Sequence, residues 1–320
     1  MKSGKKTGGY IRGGGLRGFG HNLKLDIRRN RILYVFLGGI LLYFFVFHYI
    51  PMGGLLMSFQ KYSPAKGIFG SKWVGMRNFV DFFSGPYVGR LIRNTTLIGL
   101  LDLAVNFPAP IIFALLLNEI RQRHFKKIIQ TVSYMPYFIS AVVACGLVIN
   151  FTQAGGIISN LLAPFHGGQS INLLNDHGSF RTIYVSQNLW QGIGYGSIIY
   201  LAALSGVDQE LYDAARIDGA GRWRQTLHVT IPGIMPTVVM MFILRIGVVF
   251  SVGADKILLL YNPANYEVAD VINTYVFRMG VTQQDYGLST AVGLINSVIG
   301  TIMLLGSNRI LKKLTDTSMF

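Results

Sequence analysis

Charge is scarce in this chain. Only 13% of its 320 residues are Asp, Glu, Lys or Arg, about half the share of a soluble domain. With 51% hydrophobic residues and a mean hydropathy of +0.43, the composition points to a bilayer and not to water. Cysteine is nearly absent. The single Cys145 lies inside an apolar run, which excludes an intrachain disulfide and leaves the compartment open. Catalytic patterns are missing as well. Gly67-Ile68-Phe69-Gly70-Ser71-Lys72 lacks phosphate-loop spacing, and Gly4-Lys5-Lys6-Thr7 has no upstream glycine at the right distance. The six histidines are scattered, with no paired metal spacing, and no nucleophile elbow occurs. No catalytic residue, metal ligand or cofactor-binding residue is therefore expected, and a membrane enzyme is disfavoured.

What the chain has is basic surplus and long apolar runs. The +15 net charge fits nucleic acid in principle, but basic residues concentrated at the ends of apolar runs fit membrane topology better. Residues 1–31 hold nine Lys/Arg against one Asp, with many glycines and no apolar period, and read as a disordered cytoplasmic tail. The run from Ile32 to Ile50 is too long for a signal-peptide core, and no small-residue cleavage pattern follows it. Six stretches satisfy the need for about 20 apolar residues per span: 32–57, 93–118, 128–152, 182–206, 233–259 and 286–308. The expected fold is thus all-α and integral to the membrane, with a spanning domain at 32–308 and a C-terminal tail at 309–320.

An even count puts both termini on one side. Lys/Arg number nine in the tail, four in 119–127, three in 208–232 and three after 308. That side is therefore cytoplasmic. The opposite loops 153–181 and 260–285 carry one each, Arg181 and Arg278. The exception is 58–93, with Lys61, Lys66, Lys72, Arg77, Arg90 and Arg93 among Phe69, Trp73, Phe79, Phe82, Phe83 and Tyr87. Such a segment suits the interface, where basic ends can snorkel.

Pro108, Pro110, Pro136 and Pro236 each remove a backbone bond inside an expected span, tolerable beside packed neighbours or a lined cavity. Asp102 and Arg245 fall at depth, as a buried ion pair or as groups facing the bundle interior, while Asp255 and Lys256 fall near a span end. None of the four forms an obvious proton relay.

The segment 208–232 is polar and punctuated by glycine between two apolar runs. Asp208 can cap a helix through Ile217, and Gly219 is a natural stop. A second helix is expected from Ala220 to Val229, ended by Pro232. Ala214, Ala215, Gly219 and Ala220 are small enough to admit another protein's surface, and Arg216, Arg222 and Arg224 offer contacts to acidic rims. An ordinary interfacial helix would satisfy the same pattern.

Asp213-Ala214-Ala215-Arg216-Ile217-Asp218-Gly219-Ala220, followed by Trp223, Ile231-Pro232 and Pro236, resembles the coupling motif of permease subunits of bacterial ATP-binding-cassette importers. Asp213 stands where that family usually has Glu. Asn106-Phe107-Pro108-Ala109-Pro110 with Leu117-Asn118-Glu119, Met135-Pro136-Tyr137-Phe138, Asn188-Leu189-Trp190-Gln191 and Leu260-Tyr261-Asn262-Pro263 are similar to its maltose-type carbohydrate branch. The resemblance spans residues 27–313. It implies a type I importer permease in the bacterial cytoplasmic membrane, paired with a homologous second permease. It also implies two cytoplasmic ATPase subunits holding ATP and Mg2+, and an extracytoplasmic solute-binding protein. Tyr212, Asp213, Ala214, Ala215, Asp218, Gly219, Ala220 and Trp223 would then dock an ATPase. No nucleic-acid partner is expected.

In the 182–206 run, Gln187, Trp190, Gln191, Gly194 and Tyr195 share a helical face with Asn188 beside it. Amides and aromatic rings suit a saccharide path, while Gln and Gly also suit helix packing. Ser289, Gly293, Asn296 and Gly300 form a small, polar stripe for which packing is the favoured reading. A permease moving an oligosaccharide is the expected function. The alternatives are an importer of a non-sugar solute and an ion-coupled secondary transporter.

Overall fold

The computed structural model describes Leu23 and residues 25–315, with side chains through Lys313. Residues 1–22 and 24 of the expected tail, and 316–320 at the other end, lie outside the described residues. Helical backbone is already present at 25–29, before the expected boundary. The chain divides into two units, 1–56 and 57–320.

In the first unit, α1 (Arg31–Phe44) runs through a π-turn at Phe45–Tyr49 into the helical residues Ile50–Met52. Pro51 follows that wider turn directly. A π-turn shifts the hydrogen-bond register by one residue, which accommodates a proline that has no N–H to donate.

The second unit opens with a small antiparallel ribbon, β1 (Gln60–Lys61) against β2 (Lys72–Trp73), with Gln60 opposite Trp73. A short amphipathic helix at Arg77–Phe83 buries Phe79 and Phe82 and leaves Phe83 exposed, as are Phe69 and Trp73. The expected interface segment therefore has an inner aromatic face and an outer one. α2 (Val88–Asn106) and α3 (Pro108–Glu119) follow in line, jointed at Phe107 where Pro108 and Pro110 begin the second helix.

The expected span 128–152 is not one helix. α4 (Arg123–Tyr134) passes into a 3-10 turn at Met135–Phe138, then into extended backbone at Ile139 and Ser140. Ser140 caps α5 (Ala141–Thr152) by accepting from Val143 N at 3.3 Å. The break exposes carbonyls, and Gln191 Nε2 donates to one of them, Ile139 O, at 3.3 Å.

α6 (Phe180–Ser205) is the central element, packed on α2, α3, α4 and on the later α8. Among the described residues, five runs are both long and apolar enough to cross a membrane: Arg31–Phe59, Val88–Glu119, Ala141–His166, Arg222–Gly247 and Tyr286–Lys313. The other expected span, 182–206, corresponds to α6, which is as long but more polar. Its neighbours explain that polarity, because α6 meets protein on several sides and buries Gln187, Gln191 and Ser197.

α7 (Gln209–Ile217) leads to a second helical stretch that Pro232 does not end. Arg222–Gln225 passes through a π-turn at Thr226–Thr230 directly into α8 (Ile231–Gly247). The proline again sits just past a π-turn, as Pro51 does, so its missing donor leaves the helix continuous. The expected span 233–259 stops instead at Gly247, and residues 248–253 are irregular before α9 (Ala254–Leu260). Asn273 Nδ2 donates to Val252 O in this break at 2.9 Å. α10 (Ile272–Phe277) and a third π-turn precede α11 (Tyr286–Thr315), which runs past the expected limit at 308. On α11, Ser289 donates to Val276 O and Asn296 to Asn273 Oδ1, so that stripe packs.

Between α9 and α11, Asp270 is fully buried. It accepts from both Nη atoms of Arg278 at 3.0 and 2.9 Å, from Arg90 at 3.1 Å and from Thr274 at 2.8 Å. One of the arginines that break the charge asymmetry, Arg90, is therefore consumed in a buried cluster, together with Arg278, and is not a topological signal.

Where α6 crosses α4, Gly194 lies so close to Ser133 that a Cβ would run into its backbone carbonyl. Small residues allow such contact. Gly194→Ala is expected to destabilise the protein by about 1–3 kcal/mol through overpacking, read as a lower thermal midpoint in detergent. Gly192→Ala, with open space around the added carbon, should leave the midpoint unchanged.

Candidate functional site: a charged cavity and an exposed helix–turn–helix

The breaks in α4–α5 and after α8 face one another across a cavity of about 440 Å3. Its wall takes Asp102 from α2, Tyr137 and Ile139 from the first break, and Tyr184, Asn188 and Gln191 from α6. Arg245, the strand of backbone at 248–253, Asp255 and Lys256 complete it. Irregular backbone at membrane depth is tolerated where it lines such a cavity.

All four ionisable residues that interrupt the apolar runs reach this cavity. Arg245 donates to Asp102 Oδ2 at 2.6 Å, with the arginine 44% and the aspartate 16% exposed. Asp102 Oδ1 also accepts from Asn106 at 2.8 Å and from Asn188 at 2.9 Å. Asn188 then accepts from Lys256 Nζ at 2.8 Å. One amide thus bridges a carboxylate to an ammonium, and two cations are balanced by Asp102 and Asp255. Three donors thus converge on one carboxylate at a depth where an isolated charge would be expensive.

A second cavity, of about 650 Å3, shares Tyr137, Asn188, Gly192 and Arg245 with the first and continues along α6 past Tyr195 and Ile199. Tyr195 stacks on Tyr137 with ring centroids 3.8 Å apart and planes 5° apart. A third, of about 530 Å3, is almost wholly apolar and holds Gln187 and Trp190.

The single lining face expected on α6 is therefore split. Asn188 and Gln191 face the charged cavity, and Asn188 and Tyr195 the second one. Gln187 donates to Cys145 Sγ at 3.2 Å and, with Trp190, borders the apolar one; Gly194 faces α4. Sequence reasoning placed Asp102 and Arg245 at depth but did not join them to Asn188 or Lys256. Tyr137, Tyr184 and Asn106 were missed, because a lone Tyr or Asn in an apolar run carries no pattern of its own.

The segment after α6 is built as the sequence indicates. Asp208 accepts from Glu210 N at 3.0 Å to cap α7. At the other end Gly219 has φ +73°, Ala220 N donates to Ala215 O at 2.8 Å and Gly219 N to Arg216 O at 3.0 Å. This is a Schellman closure, which requires left-handed backbone at that glycine. Asp213 pairs with Arg216 at 2.9 Å on the exposed surface, a contact of small energetic weight.

Two links hold the segment to the bundle. Tyr212 hydroxyl meets Thr230 Oγ1 at 3.0 Å, and Arg222 meets Glu119 at 3.8 Å. Ala214, Asp218 and Gly219 are exposed, Ala215 and Ala220 partly so. Leu211, Ile217 and Trp223 also stand exposed, the last two at 87% and 74%. Such an exposed apolar set on a turn is the kind of surface that protein partners cover.

Residues 106–316 match the family described as "Binding-protein-dependent transport system inner membrane component". Protein LplB of Bacillus subtilis (strain 168) is 45% identical over 295 residues, 92% of each chain. The polygalacturonan/rhamnogalacturonan transport system permease protein YteP of the same organism is 40% identical, over 93% of each chain. Among solved structures, a chain of a bacterial ABC transporter involved in import of the acidic polysaccharide alginate superposes with a TM-score of 0.83 at 37% identity. The match covers 92% of this chain and 99% of that one. The same transporter is also known in complex with a periplasmic protein bound to an alginate pentasaccharide.

Asp102→Asn and Arg245→Met are each expected to lower the thermal midpoint, since either leaves a charge in the cavity without its partner. The double variant should lose less than the sum, with a coupling of about 1 kcal/mol in a double-mutant cycle. Strict additivity would show that the two groups do not stabilise one another.

Proposed function

The chain belongs to the inner membrane components of binding-protein-dependent transport systems, and from that premise we propose that it forms half of the membrane pathway of an ATP-driven importer of an acidic oligosaccharide. The observation that carries this reading is the layout of α6. One helix lines the two adjoining cavities with Asn188, Gln191 and Tyr195 and leads through a three-residue turn into the exposed helix–turn–helix. Pathway and partner surface are thus ends of one lever.

In this reading Tyr212, Asp213, Ala214, Ala215, Asp218, Gly219, Ala220 and Trp223 seat in a groove of a cytoplasmic ATPase, which holds the ATP and Mg2+. A homologous second permease closes the other half of the pathway. Asn188, Gln191 and Tyr195 contact the saccharide, with amides for its hydroxyls. Gln187 and Trp190 stand behind them, and their apolar pocket serves the packing of α5 on α6. ATP-driven approach of two ATPases would switch the bundle between inward- and outward-facing states. The acidic cargo rests on the relatives that handle polygalacturonan and alginate.

The transporter, reconstituted with its ATPases and binding protein, is expected to take up galacturonate oligomers only with ATP inside the vesicles. Uptake driven by an ion gradient without ATP would sink the proposal.

Gly219 tests the docking surface separately. Asn tolerates left-handed backbone, so Gly219→Asn should retain uptake, whereas Gly219→Trp adds bulk as well as roughly 1–2 kcal/mol of backbone strain. The Trp variant should reach the membrane in normal amount but lose most binding-protein-stimulated ATP hydrolysis. Normal stimulation would move the docking surface elsewhere.

A further inference from the structure

Arg181 opens the stripe on α6 that lines the cavities. Arg181, Tyr184, Asn188, Gln191 and Tyr195 follow one another at spacings of three and four, the recurrence of one helical face. Tyr184, Asn188 and Gln191 line the first cavity, and Asn188 and Tyr195 the second. Arg181 stands two turns from Asn188, about 10 Å along the axis, and about 36 Å from the Ser205 end that leads to the helix–turn–helix. It therefore lies at the mouth remote from the ATPase surface.

Its surroundings are unusual for an arginine at that depth. Nη2 donates to the neutral Asn94 Oδ1 at 3.0 Å, and the buried Nε has no hydrogen-bond partner among the described residues. Arg93, exposed one turn from the start of α2, is close enough to repel it. Of the carboxylates nearby, Asp270 is held by Arg90 and Arg278, and Glu267 lies exposed on the surface, 3.9 Å from His177. Asn94 is held in place by donating to Glu267 O and Asp270 O at 2.8 and 3.1 Å, so it presents Oδ1 to Arg181 from a fixed frame.

Arg90 and Arg278 pair with the one buried aspartate at this end, while among the described residues Arg181 and Arg93 have no ion pair. Two like charges held together without an anion repel, and a carboxylate between them removes that repulsion and adds charge-assisted hydrogen bonds.

We propose that Arg181 and Arg93 form a carboxylate-receiving site at the outer mouth of the pathway, which takes a uronate group of the cargo before it enters the Asp102–Arg245 cavity. The inference rests on the acidic-oligosaccharide reading above. It also gives a role to Arg93, one of the basic residues of 58–93 that oppose the topological charge rule, since a positive mouth draws in anionic cargo.

The test uses the complete transporter in zwitterionic lipid nanodiscs without binding protein. Galacturonate trisaccharide and its methyl ester are the probes, and saturation-transfer NMR gives the affinities. Wild type is expected to bind the acid more tightly than the ester by roughly ten-fold, the scale of one charge-assisted hydrogen bond. Arg181→Gln should erase that preference, and Arg181→Lys should keep part of it. Basal ATP hydrolysis, unchanged in both variants, shows that they are folded. Equal binding of acid and ester by wild type, or a preference that survives Arg181→Gln, overturns the site. ATP-driven uptake of the acid form in vesicles reports on the cargo reading by itself. Uptake without an Arg181-dependent preference removes only this site; no uptake of the acid removes both.

Discussion

A backbone carbonyl that loses its helical partner inside a bilayer must find another donor, because hydrocarbon offers none. The second unit meets that constraint with side-chain amides. Gln191 donates to Ile139 O in the break between α4 and α5, and Asn273 to Val252 O in the break after α8. Asn94 serves Glu267 O and Asp270 O, and Asn265 serves Leu174 O and Leu260 O. Each amide also fixes the position of the segment it serves. Because the two larger breaks are held open in this way, they can face each other across a polar cavity instead of collapsing into helix.

The same requirement explains why the most central helix is among the more polar. An outer helix touching lipid gains from Leu and Ile, but α6 must supply donors to neighbours on several sides. Gln191 reaches Ile139, Asn188 joins Asp102 to Lys256, and Gly194 permits the close crossing with α4. Gln191 does two things at once, since its Nε2 closes the break while the residue also lines the cavity. The charges obey a parallel logic. Asp102 and Arg245 come from helices distant in sequence, and neither is tolerable at that depth without the other.

Much of this was legible from sequence and some was not, for identifiable reasons. Apolar run length located the spans, and Asp208 and Gly219 marked both ends of α7, because caps and left-handed glycines are local physics. Pro232 misled for the converse reason. A proline is a local signal, but the π-turn at Thr226–Thr230 that absorbs it is a tertiary choice, held partly by Tyr212 on Thr230. The breaks at 139–140 and 248–253 were invisible because their amide partners lie 52 and 21 residues away. Helical spacing grouped Gln187 and Trp190 with Gln191, but spacing cannot name neighbours, and α5 takes the first two. The basic residues of 58–93 read as an exception to a counting rule until Asp270 showed where one of them, Arg90, goes.

The two links that hold the helix–turn–helix are placed so that its movement acts on the cavity. Tyr212 grips Thr230 in the π-turn, which continues without interruption into α8 and so to Arg245. Arg222 meets Glu119 at the end of α3, which continues in line from α2 and so from Asp102. The first link is a hydrogen bond to a buried hydroxyl and the second an exposed ion pair, so α8 is gripped more firmly than α3. A force on the segment would then move Arg245 further than Asp102 and load the 2.6 Å contact between them. The ion pair is short, directional and shared with Asn188, which makes it a contact that breaks or holds and does not stretch. That is the character a switch between two rigid states requires.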